Sequence, residues 1–148
     1  MKRFEFSLKK LLAYKQQILK REKNDLANLR KQQLLLLDER KAIIELAKNK
    51  NNELNQKINS GLSAQHIAIH KHFLSSLNET AISLAHALER LEEDIQKQLN
   101  VIIEITKEID SLEKLEKKQL EEYTKKEIKV NELFIEEFVS HKNFHSVR

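Results

Sequence analysis

Residues 74–112, LSSLNETAISLAHALERLEEDIQKQLNVIIEITKEIDSL, decide the fold. Alternating steps of three and four from Leu74 land on Leu77, Ala81, Leu84, Leu88, Leu91, Ile95, Gln98, Ile102, Ile105, Ile109 and Leu112. Eleven of these twelve positions are apolar, where a 40% hydrophobic chain would supply about five. A seven-residue repeat sustained this long specifies a helix that supercoils against a partner. Gln98 is the single polar interruption, of the kind that fixes register at some cost in stability. Beyond Leu112 the same steps reach Glu116 and Gln119, and apolar positions resume with Leu120, Tyr123, Val130, Phe134 and Phe138. That change of phase reads as a stutter.

The first half carries a weaker seam of Leu8, Leu11, Ile18, Leu29, Leu36, Ile43 and Ala47, with Lys15, Glu22 and Arg40 where apolar residues belong. A seam this polar needs a partner, and the cleaner second helix is the obvious one. Between the two halves, Asn49, Asn51, Asn52, Asn55 and Asn59 precede the only glycine, Gly61. Weak helix formers at that density loosen the last turns. Gly61 suits the left-handed position just past a helix end, and Ser63 can cap the next helix. The expected fold is all-α, an elongated antiparallel two-helix coiled-coil hairpin forming a single domain over residues 1–148. Its parts are a first helix over about 5–58, a turn at about 59–63, a second helix over about 64–140 and a tail at 141–148. A first helix of about 55 residues makes a rod of roughly 80 Å.

Charge selects the antiparallel arrangement. A turn near residue 61 pairs residues whose numbers sum to about 121, setting residues 1–30 beside 91–120. The first thirty residues hold nine Lys/Arg against three Asp/Glu, whereas residues 89–122 hold six against eleven. A parallel dimer would set like against like. Exposed ion pairs contribute only ~0.2–1 kcal/mol each, but they discriminate orientation. Past about residue 121 the second helix has no intramolecular partner, and this overhang carries Phe134, Ile135, Phe138 and Phe144.

Composition narrows the function classes. One Gly and no Pro exclude a phosphate-binding loop, whose backbone amides need several glycines to wrap an anion. The absence of Cys excludes disulfides and thiolate metal sites and fits a reducing compartment. His66/His70 and His141/His145 have the i, i+4 spacing that can place two imidazoles on one metal, with His72 near the first pair. Neither pair has an evident acidic or thiolate third ligand, so solvated histidines are expected. Glu92/Glu93 and Glu121/Glu122 read as a solvated face, and no catalytic residue or cofactor is expected. Lys and Arg number 27 against 23 acids, and no aromatics interleave the basic residues, so a nucleic-acid partner is not expected. No apolar run approaches the ~18 residues of a membrane span, and Lys9, Lys10 and Lys15 interrupt any signal-like core. The expectation is a cytoplasmic protein that works by docking onto other proteins.

The opening Phe4-x-Phe6-x-Leu8-x-x-Leu11-Leu12, running straight into a long charged helix, resembles the start of FliJ proteins of the bacterial flagellar type III export apparatus. The turn region adds Leu54-Asn55, then Gly61-Leu62, then Phe73 and Leu77. The resemblance spans essentially the whole chain. It implies a non-enzymatic, stalk-like hairpin whose open end inserts into the hexameric export ATPase and promotes its assembly. The region toward the turn would contact the cytoplasmic domain of the export gate membrane protein. It also implies escort of export chaperones and a cytoplasmic location at the membrane-embedded apparatus, without membrane insertion. By position, the gate-contacting face would comprise Glu39, Ile43, Leu46, Lys50, Phe73, Leu77, Thr80 and Leu84. The ATPase contact would involve Phe4, Phe6, Lys9, Lys10, Phe134 and Phe138. Two other readings fit the same periodicity: the equivalent stalk of a virulence type III secretion system, and a coiled-coil scaffold or nucleic-acid-associated dimer.

Overall fold

A computed structural model describes residues 2–146, with side chains described over 2–143. Its two helices are α1, Lys9–Ser60, and α2, Ala64–Ser146, with no strand among the described residues. The turn between them is built as its residue types require. Gly61 takes φ +96° and its amide donates to the Ile58 carbonyl at 3.1 Å, closing α1. Ser63 Oγ accepts the His66 amide at 3.3 Å, capping α2. Any other residue at position 61 would have to hold its Cβ in a left-handed conformation.

Packing divides the chain into two units, each made of segments of both helices. One comprises Met1–Lys20 and Ile103–Arg148, the other Arg21–Ile102. Within the second unit, Leu26, Leu91 and Ile95 form a buried cluster flanked by Leu29, Leu36, Leu99 and Ile102. Toward the turn, Leu54, Leu77 and Ala81 are also buried. The α2 repeat faces inward at every step from Leu74 to Tyr123. The first-helix seam is more regular than its apolar residues alone indicated. It runs 8, 12, 15, 19, 22, 26, 29, 33, 36, 40, 43, 47, 50, 54, all buried or half-buried. Leu11 is therefore exposed and Leu12 is the core residue, one step away from the expected seam.

The polar residues in that seam are each met from α2. Gln98 Nε2 donates to the Glu22 carbonyl at 2.9 Å and to its carboxylate at 2.5 Å. Gln33 donates to Glu92 at 2.8 Å, and Arg40 donates to the Ala81 carbonyl at 3.2 Å. In the other unit, Lys15 pairs with Glu108 at 2.6 Å. These partners have residue numbers summing to 120–125, against the expected value of about 121. The helices pair antiparallel at the anticipated register.

The first unit departs from expectation at both helix ends. Residues 2–8 are not helical, so α1 begins at Lys9 and not near residue 5. Instead the arm folds onto α2. Phe6 is buried with Leu12, Ile105 and Ile109, and the Phe4 ring lies 5.6 Å from that of Tyr123. The Tyr123 hydroxyl donates to the Lys2 carbonyl. Burying two aromatic rings outweighs another helical turn, whose propensity gain is only a few tenths of a kcal/mol per residue. Glu116, Gln119 and Tyr123 stay half-buried on the original repeat while Leu120 is exposed, so the stutter does not occur. The arm supplies cover where α1 has ended. Past residue 140, where a tail was expected, α2 instead continues to Ser146, because the segment has no Gly or Pro to stop it.

Ile95→Ala, at a position only 4% exposed, should lower the unfolding free energy by about 2–4 kcal/mol. Gly61→Ala should cost about 1–2 kcal/mol through backbone conformation alone, because an added Cβ meets no atom within 4 Å. Gln98→Leu should destabilise by about 1–2 kcal/mol although leucine is the better apolar residue, because Glu22 loses its partner. Adding Glu22→Leu should recover most of that loss. Urea denaturation followed by circular dichroism measures all four.

Candidate docking surfaces

Two stretches of exposed side chains stand out, one in each unit. In the Arg21–Ile102 unit, Glu39 and Leu46 immediately precede the seam residues Arg40 and Ala47. On α2, Phe73 and Thr80 immediately precede Leu74 and Ala81. With matched heptad phases and opposite helix directions, these four positions flank the same side of the seam. All four are exposed, and the register brings Leu46 and Phe73 within about one helical turn of each other. Of the other residues assigned to this face, Ile43, Lys50 and Leu84 are half-buried in the seam. Leu77 is only 8% exposed, against 43% for Phe73. Leu77 holds the two helices together, whereas Phe73 offers its ring outward. The Thr80 hydroxyl is engaged with the Ser76 carbonyl at 3.0 Å.

Lys50 belongs to a small charged cluster near the turn. Its ammonium lies 3.4 Å from Glu53, whose other oxygen is 3.1 Å from Lys57. Those two partners, Lys57 first, hold the Glu53 carboxyl below its usual range. Any stabilisation from this cluster is present above the ordinary carboxylate pKa and fades as pH falls through the lowered one. His66 Nδ1 sits 2.5 Å from Ser63 Oγ, so this imidazole takes part in capping α2. Among the described residues no three His, Cys, Asp or Glu side chains gather as metal ligands, and no helix is long and apolar enough to cross a membrane. The side chain of His145 lies outside the described residues.

A further patch in this unit was visible in sequence only as the apolar run Leu34–Leu37. Leu34, Leu37 and Ile44 are exposed and line an open groove with Asp38 and Lys41 on the outer side of α1. Their spacing of three and seven residues was the available signal, masked by the stronger seam beside it.

In the other unit, the expected contact residues separate into two kinds. Phe6 is core and Phe4 is half-buried against Tyr123, so both rings point into the protein. Lys9 and Lys10 are exposed at the start of α1, beside an open groove that Arg3 and Glu116 also line. Phe134 and Phe138 are 69% and 61% exposed on α2 beyond Tyr123. Ile128, Val130, Leu133, Ile135 and Val139 are exposed on the same stretch. The side chain of Phe144 lies outside the described residues.

The fold is an all-α coiled-coil hairpin with apolar side chains exposed beside its seam and along α2. A family model, the flagellar FliJ protein family, matches residues 4–147. The chain belongs to that family, and with it to the proteins of the flagellar type III export apparatus. Searches of curated proteins and of solved structures gave no significant match.

Leu77→Ala should lower the unfolding free energy by about 2–4 kcal/mol, whereas Phe73→Ala should change it by less than about 1 kcal/mol. Thermal melts of the two variants test this division, and equal losses would contradict it.

Proposed function

We propose that this protein is a non-enzymatic stalk and coupling protein of the flagellar export apparatus. It engages the export ATPase ring through the unit containing both chain ends, and the cytoplasmic domain of the export gate through the exposed flank near the turn. The observation that carries this reading is the pairing of a whole-chain family match with an α2 segment whose large apolar side chains are exposed. Exposed aromatic and aliphatic clusters are where binding energy concentrates once a partner covers them. On this reading the ATPase contact falls to Phe134 and Phe138, with Lys9 and Lys10 as charged flanks. Phe4 and Phe6 contribute by anchoring the N-terminal arm. At the gate, Phe73 and Leu46 provide apolar contact and Glu39 the neighbouring charge. Ile43, Lys50, Leu77, Thr80 and Leu84 hold that flank in place. The protein acts in the cytoplasm at the membrane-embedded apparatus and hands export chaperones back into the cycle.

Added at substoichiometric amounts, the protein should raise ATP hydrolysis by the cognate export ATPase and favour its hexamer. Phe134→Asp with Phe138→Asp should abolish both effects while leaving helicity unchanged. Stimulation that survives the double substitution would remove the α2 extension from the contact. Independently, Phe73→Ala should reduce secretion of flagellar subunits in cells, and unimpaired motility would remove Phe73 from the gate face.

A further inference from the structure

The start of α1 is set by a tertiary contact and not by a cap. Leu8 occupies the N-cap, its carbonyl accepting the Leu12 amide at 2.9 Å, and its side chain has no oxygen for the amides that follow. Lys9 and Lys10 stand in a first turn that holds no acidic residue, where the helix dipole disfavours cations. Among the described residues no protein group accepts the Lys10 or Leu11 amide. The competing contact is the arm. Phe6 is only 6% exposed among Leu12, Ile105 and Ile109, the Phe4 ring packs on Tyr123, and the Tyr123 hydroxyl donates to the Lys2 carbonyl. The alternation Phe4-x-Phe6-x-Leu8 suits this extended path, because every second side chain packs on the core.

The same residues fit a second path. Neither Gly nor Pro interrupts residues 2–8, so α1 can continue backward through them. The Lys10 and Leu11 amides would then find the Phe6 and Ser7 carbonyls four residues back. Lys9 and Lys10 would leave the first turn and Glu5 would enter it, as the dipole favours. At 100° per residue Phe6 would point about 145° away from the seam, into solvent. Glu5 would enter the seam level with Glu116, setting like charges together. That repulsion and the burial of Phe6 make the extended form the resting state.

We propose that residues 3–8 are a reversible strap with two ordered states. Docked, the arm is extended and hides Phe6 in the hairpin core. Released, it joins α1 as about one and a half further turns of helix and presents the Phe6 ring to a partner with an apolar pocket. A cationic group set between Glu5 and Glu116 favours release. On the export reading the strap shows or hides an aromatic anchor at the ATPase-facing end. Its test needs no ATPase, so either reading can fail without the other.

Amide hydrogen exchange followed by NMR separates a strap that becomes helix from one that merely frays. In the wild-type chain the Lys10 and Leu11 amides should exchange quickly. Phe6→Ala with Glu116→Lys removes the buried ring and gives Glu5 a partner in the seam. It should slow both amides by about tenfold or more and move the Cα shifts of residues 4–8 to helical values. Glu116→Lys alone, which leaves every core ring in place, should show the same changes at smaller amplitude. Adding Ser7→Pro should abolish them. Proline suits the docked turn, in which the Lys9 amide donates to the Phe6 carbonyl at 3.1 Å, but it drives the residue before it out of the helical region. Random-coil shifts at residues 4–8 with Lys10 and Leu11 still fast in the double variant would mean simple fraying and overturn the proposal. An arm that stays docked in that variant overturns it as well.

Discussion

The contact between Gln98 and Glu22 is the constraint on which the hairpin's uniqueness depends. An antiparallel pair of aliphatic heptads has many acceptable registers, because leucine packs on isoleucine almost equally well one heptad along. Polar side chains in the seam remove that degeneracy. In the observed register Gln98 donates twice to Glu22, Gln33 reaches Glu92 and Arg40 reaches a main-chain carbonyl. Shifted by one heptad so that Gln98 lies level with Leu29 and Glu22 with Ile105, both polar groups would face aliphatic neighbours, at a cost of about 1–3 kcal/mol per unsatisfied group. The polar seam of α1 is thus a specificity device, and α2 carries the complementary pattern.

The same rule explains what each unit leaves exposed. Where the two helices run side by side, the seam consumes the strongest apolar positions and leaves a flank such as that of Phe73. Where α1 has ended, the N-terminal arm takes its place, and Phe4, Phe6 and Tyr123 close that part of the core. Beyond Tyr123 most apolar residues of α2 fall on another side of the helix, where their side chains are exposed. Buried packing and exposed apolar surface are therefore divided between different faces of α2.

Much of this was legible in the sequence because a heptad is a strong, long-range signal. The repeat from Leu74 to Leu112, the turn at Gly61 and Ser63 and the pairing register all follow from spacing and charge. The first-helix seam was harder to read. With Lys15, Glu22, Gln33, Arg40 and Lys50 in it, apolar counting chose Leu11 over Leu12. The arm defied local reading altogether, because residues 2–8 have ordinary helical character and only the presence of Ile105, Ile109 and Tyr123 draws them out of a helix. The apparent stutter had the same origin. Glu116 and Gln119 looked like breaks until the arm supplied a partner for their face. Among the residues expected to dock, position on or beside the seam separated exposed Phe73 from buried Leu77, whereas chemical type alone did not.

The account is tested most directly by double electron–electron resonance on spin labels attached to cysteines introduced at Gln32 and Arg90. Both are exposed residues of the same unit whose numbers place them level with one another. The intramolecular register predicts a separation of about 10–20 Å, the distance across two packed helices plus label linkers. It also predicts that this distance survives dilution with excess unlabelled protein. A separation of about 85 Å, as in one uninterrupted helix, or a short distance that disappears on dilution, would contradict it.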